Sequence, residues 1–223
     1  MIKLLALITM LIDHIGLIFF QDIRCIRYIG RLAMPLYGYC IARGFYFSKT
    51  HGSLKNYIIN LLALTIVSEV PYCIMEQRPA IDIGLTWLLA IVVLYILEFN
   101  IFGSIKYVKY VLAGIILLFA AVLYHFISFD FGIYGVLTAV CMYYLMIKKN
   151  EPYSMFLALV ILWAFYVLVM RQSFEQFFAI FSVIFIALLK PFDGFVKLPK
   201  KLYYWFYPLH ITILLIIERM VMK

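Results

Sequence analysis

Asp13 and His14 stand side by side inside an otherwise apolar stretch from Leu4 to Phe20. Histidine can take or give a proton near neutral pH without extreme tuning, and a nearby carboxylate can orient the ring or offset its charge. Adjacent residues on a helix point about 100° apart, so these two cannot pair with each other and each needs a partner elsewhere. For Asp13 the candidates are Arg27 and Arg31 across the first hairpin, an arrangement that leaves His14 facing a cavity. Arg24, Arg27 and Arg31 share one helical face if their helix begins early enough. Farther along, Glu69 lies late in the third apolar run, Asp82 and Asp130 begin or flank later ones, and His210 follows Pro208 in the last. An ionisable group within lipid costs several kcal/mol unless it meets a partner or water, so each is a functional candidate. The structural alternative is a buried ion network of Asp13, Arg31 and Glu69 holding three helices together, with His210 as a helix–helix hydrogen bonder.

The elements that carry these residues follow from composition. Of 223 residues, 67% are hydrophobic and 13% charged, with mean hydropathy +1.04. Soluble domains carry about twice that charge fraction, so the bilayer is the solvent. Backbone amides in hydrocarbon must pair internally, which leaves a helical bundle or a closed barrel. The apolar runs are continuous over about 17 to 22 residues rather than alternating over about ten, and this selects helices. The sequence predicts an all-α, polytopic transmembrane bundle in one domain, residues 1–223. It has about nine spans, with eight or ten as neighbouring counts: Leu4–Phe20, Tyr28–Phe47, Tyr57–Met75, Ile81–Phe99, Val108–Ile127, Phe131–Ile147, Tyr153–Met170, Phe174–Leu189 and Leu202–Met222. The first is read as a retained helix, because Asp13 and His14 interrupt its core and no cleavage site follows.

A net charge of +8 raises the question of nucleic acid, but the lysines sit in short loops and form no stripe with interleaved aromatics, so no nucleic-acid partner is expected. Lys49, Lys55, Lys106, Lys109, Lys148, Lys149, Lys190, Lys197, Lys200 and Lys201 fall in alternate loops on the side of Lys3, which the positive-inside rule makes cytoplasmic. The N-terminus is then cytoplasmic, and the expected location is the plasma membrane, multi-pass. Tyrosine clusters such as Tyr143-Tyr144 read as interfacial belts. The four cysteines lack metal-ligand spacing and no metal is expected, while Cys25 and Cys73 share the outer face and leave a disulfide open.

The segments KLLALITMLIDHIG (3–16), GRLAMPLYGY (30–39), SEVPY (68–72), DFGIYGVL (130–137) and YYWFYPLH (203–210) resemble the TraX family over nearly the whole chain. That family is named for a conjugative pilin acetylase and is similar to wider transmembrane acetyltransferases. The resemblance implies acetyl transfer from cytosolic acetyl-CoA, as co-substrate, to an amine or hydroxyl of a peptide, glycan or small molecule at or beyond the membrane, a pilin N-terminus in the founding case. On that footing His14 is the expected base or transient acyl carrier, with Asp13 or Asp130 orienting it and Arg31 stabilising the oxyanion. Glu69, Tyr207 and His210 are expected at the acceptor, and Arg43, Lys49, Lys55 or Lys106 at the phosphates of CoA. Competing classes are a secondary transporter, for which no repeated halves are visible, and a non-catalytic assembly factor.

Overall fold

The computed structural model describes residues 1–77, 80–99, 107–127, 129–194 and 199–221, with side chains except at 200 and 201. Its elements are helices: α1 (Ile2–Phe19), α2 (Arg24–Gly30), α3 (Ala33–Thr50), α4 (Leu54–Glu76), α5 (Ile83–Glu98), α6 (Val108–Phe126), α7 (Gly132–Cys141), α8 (Pro152–Leu168), α9 (Ser182–Leu189) and α10 (Lys200–Val221). A π-helical segment, Met142–Lys148, continues α7, and a 3₁₀ segment, Phe174–Phe181, leads into α9. Among the described residues, four stretches are long and apolar enough to cross a membrane: Ile2–Phe19, Leu54–Glu76, Val108–Phe126 and Phe174–Phe192. Ile83–Glu98, Gly132–Lys148 and Pro152–Leu168 are apolar but shorter.

The expected second span, Tyr28–Phe47, is divided. Pro35 has no N–H to offer the Arg31 carbonyl, and its ring would collide with that carbonyl in a continuous helix. The chain therefore closes α2 at Gly30, with the Arg31 N–H returning to the Arg27 carbonyl at 3.0 Å. It then restarts at Ala33, which leaves Pro35 in the first turn of α3, where a missing N–H is harmless. Arg31 thus caps α2 in helical conformation, one turn after Arg27. Elsewhere the turns rest on left-handed residues, Gln77 after α4 and Phe131 before α7, with Gly132 left-handed at the first position of α7.

The bundle packs α1 against α2, α3 and α10, and α5 against α4, α6 and α7. Leu36, Phe45, Ala90, Leu94, Tyr134, Val136 and Met142 form the dry centre. On α6 only Ala113 and Ala120 are buried, while Val111, Leu118 and Phe119 face outward, as a helix on the lipid boundary of a bundle does. α1 and α10 run in the same direction, since Lys3 lies over the Tyr203 ring and His14 meets His210.

Two carboxylates tie the lysine-bearing end together. Asp193, after α9, accepts the first helical N–H of α1, that of Ile2, at 3.0 Å and is ion-paired with Arg43 of α3. Glu98, closing α5, accepts from four donors: Lys49 at 2.7 Å, Lys148 at 2.7 Å, Tyr143 at 2.9 Å and Tyr144 at 2.9 Å. The π-helical segment presents the last three of these groups together. Replacing Glu98 by Ala leaves two lysines facing each other and two hydroxyls without their acceptor. The expected loss is about 2–3 kcal/mol of unfolding free energy, measured by thermal or denaturant unfolding in detergent.

Candidate functional site

A cavity of about 80 Å³ opens between α1, α3, α4, α5, α10 and the turn before α7. By the same measure one water needs about 10–15 Å³, so the space holds a short chain of atoms or several waters. Its polar lining includes Asp13, His14, Arg31, Asp82, Asp130 and Tyr207, and its apolar walls include Met10, Ile41, Leu61 and Trp87.

The 100° between Asp13 and His14 sends them to different neighbours. Asp13 meets α2: Arg27 Nη1 lies 3.2 Å from Asp13 Oδ1 and donates to the Asp13 carbonyl at 3.0 Å. Gly30 makes this approach possible, because a methyl group there would overlap the Asp13 Cβ and carboxylate. Among the described residues, Asp13 Oδ1 takes the ion pair but no well-directed hydrogen bond, and the buried Nε of Arg31 is likewise without a hydrogen-bond partner.

His14 turns to α10, where its Nδ1 lies 2.7 Å from Nε2 of His210, the two rings stacked 3° from parallel. Nδ1 of His210 lies 2.6 Å from the Phe206 carbonyl. A carbonyl only accepts, so His210 carries its proton on Nδ1 and presents a lone pair at Nε2. His14 must then donate from Nδ1, which leaves its own Nε2 as the unprotonated ring atom. Where a carboxylate from Asp13 or Asp130 was expected to orient His14, the structure puts a second histidine.

Around the rest of the cavity, Asp82 caps α5 by accepting from the Gly84 N–H at 2.9 Å, and its other oxygen lies against the Ser68 hydroxyl. Glu69 accepts from the Asp82 N–H at 3.3 Å and lies behind the cavity wall rather than on it. Asp130 is held by its backbone: its N–H donates to the Ile81 carbonyl at 3.0 Å and its carbonyl accepts from Thr86 at 2.5 Å. In this turn burial pushes the Asp130 carboxyl up to about 7, the Glu76 carboxylate adding to the shift and Arg31 opposing it.

The cavity thus brings together His14, Asp13, Arg31, Asp130 and Tyr207. His210 is joined through His14, and Glu69 through Asp82. The residues expected at the CoA phosphates are not gathered there: Arg43 is held by Asp193, Lys49 by Glu98, and Lys55 is exposed. Lys106 lies outside the described residues, as do Arg78 and Lys197. All four cysteines are free, so the Cys25–Cys73 disulfide is not formed, and Cys73 Sγ lies instead 3.2 Å from the Ala80 carbonyl. Asp82, a candidate without an assigned role in the sequence, lines the cavity, as do Tyr37 and Tyr203, which the sequence reading left out of the site. Met34, Tyr37 and Ile41 recur at helical spacing, a signal of one shared face.

Fold and site together define an all-helical membrane protein with a polar cavity buried among its helices. The chain belongs to the TraX family, whose model, described as TraX protein, matches residues 1–218. Similar curated proteins include a probable fimbrial assembly protein FimC, serogroup H1, of Dichelobacter nodosus, 32% identical over 85 residues, covering 36% of this chain and 34% of that one. An uncharacterized protein of Rickettsia prowazekii (strain Madrid E) is 44% identical over 46 residues, covering 21% of this chain and 18% of its own length. The chain thus matches only about a third or less of these relatives' lengths. No solved structure matches.

Proposed function

We propose that this protein is a multi-pass plasma-membrane acetyltransferase, with about nine spans, that moves acetyl from acetyl-CoA to an amine or hydroxyl acceptor. The observation that carries the reading is the histidine relay: the Phe206 carbonyl fixes the tautomer of His210, which fixes that of His14 and leaves Nε2 of His14 unprotonated, on a residue that lines the cavity. Membership of the TraX family, named for pilin acetylation, supports the same chemistry, and the fimbrial description of the Dichelobacter relative supports a pilin-like acceptor.

In the proposed reaction a neutral amine or hydroxyl gives its proton to His14 Nε2 as its heteroatom bonds to the thioester carbonyl carbon. The oxyanion of the tetrahedral intermediate forms beside Arg31, whose buried Nε has no partner of its own to give up. Collapse breaks the carbon–sulfur bond, and the leaving thiolate takes the proton back from the His14 imidazolium. His210 keeps its Nδ1 proton throughout and orients His14. A non-catalytic assembly role is the second reading, favoured by the fimbrial assembly description of the same relative.

Purified protein in detergent, given labelled acetyl-CoA and a panel of amines and alcohols, should release CoA and label at least one acceptor class. No release, no product and no acetyl-CoA binding would move the assignment to assembly or transport.

A further inference from the structure

Two tyrosines on the cavity have hydroxyls that the fold leaves unused. Tyr37 of α3 and Tyr203 of α10 stack with ring centroids 5.8 Å apart, both line the cavity, and both hydroxyl oxygens are buried without a directed hydrogen bond among the described residues. The Cys40 thiol lies beside the Tyr203 hydroxyl, a weak partner. Leaving one buried hydroxyl unsatisfied costs about 1–3 kcal/mol, and two facing one cavity point to a ligand that satisfies them.

Their depth says which part of a ligand. From Tyr203 to His210 along α10 the rise is about 10 Å, and Tyr203 lies toward the end that carries Lys3. The pair therefore sits on the lysine-bearing side of the His14–His210 relay. A thioester whose carbonyl lies at His14 extends its arm past these hydroxyls. In CoA two methylenes separate the sulfur from the first amide of that arm. A phenol both donates and accepts, so two phenols match an amide, one donating to its carbonyl and the other accepting from its N–H.

Resting on the acetyltransferase reading, we infer that Tyr37 and Tyr203 form a subsite for the amide of the acyl donor's arm and set the position of the thioester against His14. The site recognises a thioester with an amide two methylenes from sulfur. Fixed surface cations at the phosphates are not needed for that selection, consistent with Arg43 and Lys49 being held by Asp193 and Glu98.

The test compares N-acetyl-S-acetylcysteamine, which has the amide, with S-butyl thioacetate, which has a similar chain and none, in wild type, Tyr37→Phe and Tyr203→Phe. Each variant should lose about threefold to tenfold in kcat/KM for the amide donor and nothing for the butyl donor. Neither variant should melt lower, because each removes a hydroxyl with no good partner. Equal losses with both donors, or no loss with either, would overturn the subsite while leaving acetyl transfer intact. If wild type transfers from neither donor, equilibrium binding of pantetheine decides: binding weakened in both variants supports the subsite, and no binding by wild type overturns it together with the acetyltransferase reading.

Discussion

Replacing His14 by Asn should leave the protein folded and lower acetyl transfer by about 10²–10⁴-fold, the usual contribution of a positioned general base. Asparagine places an amide N–H where His14 has Nδ1, so the bond to His210 at 2.7 Å is kept while the atom that takes the proton is removed. Alanine is the harsher change, since it also leaves the His210 Nε2 acceptor without its donor, at about 1–3 kcal/mol. The two variants together separate chemistry from structure: both inactive, only the alanine form less stable. The complementary change, His210→Gln, offers a carbonyl oxygen near the old Nε2 and should retain more activity than His210→Ala. Rates in matched detergent samples, normalised to folded protein, provide the check. A His14→Asn protein that transfers acetyl at the wild-type rate would remove His14 from the proposed mechanism.

The largest effect on stability should come from Asp13. Its ion pair with Arg27 is well shielded, with side-chain exposures of 17% and 16%, and Arg27 is committed to it by a second bond to the Asp13 carbonyl. Asp13→Ala leaves the guanidinium uncompensated, and loss of one partner of a shielded pair costs about 3–5 kcal/mol. Asp13→Ala/Arg27→Ala removes both charges and should be less damaged than Asp13→Ala alone. A double variant whose loss equals the sum of the single losses would show that the two do not act as a pair. Unfolding in mixed micelles reads all three variants on one scale.

Much of this site was legible in the chain because polar residues in apolar runs announce themselves. Asp13 was expected to meet Arg27 or Arg31, and Arg27 is the partner, since the hairpin joining them is short. The break before α3 is missing from the expected single span Tyr28–Phe47, although Pro35 lacks the N–H that a continuous helix through Arg31 needs. The His14–His210 contact was not legible: it joins residues 196 apart, and helical periodicity says which face is polar but not which helix will cover it. For the same reason the lysines at the far end looked available for phosphates, while the fold brings Glu98 between Lys49 and Lys148 and Asp193 onto Arg43. The π-helical turn that delivers Tyr143, Tyr144 and Lys148 to Glu98 has no sequence signature of its own, and it follows from those long-range bonds.

Sidedness tests transfer through the His14 cavity most directly, because the cavity has its carboxylates toward one end and Tyr203 and Tyr204 toward the other. Sealed vesicles with the protein in one orientation would receive labelled acetyl-CoA on the side of the lysine-bearing loops and enclose an impermeant amine on the opposite side. Labelled amine is expected inside and free CoA outside, both lost in His14→Asn. Label that stays with the donor, or acetylates only amines on the donor's own side, would contradict transfer through the His14 cavity.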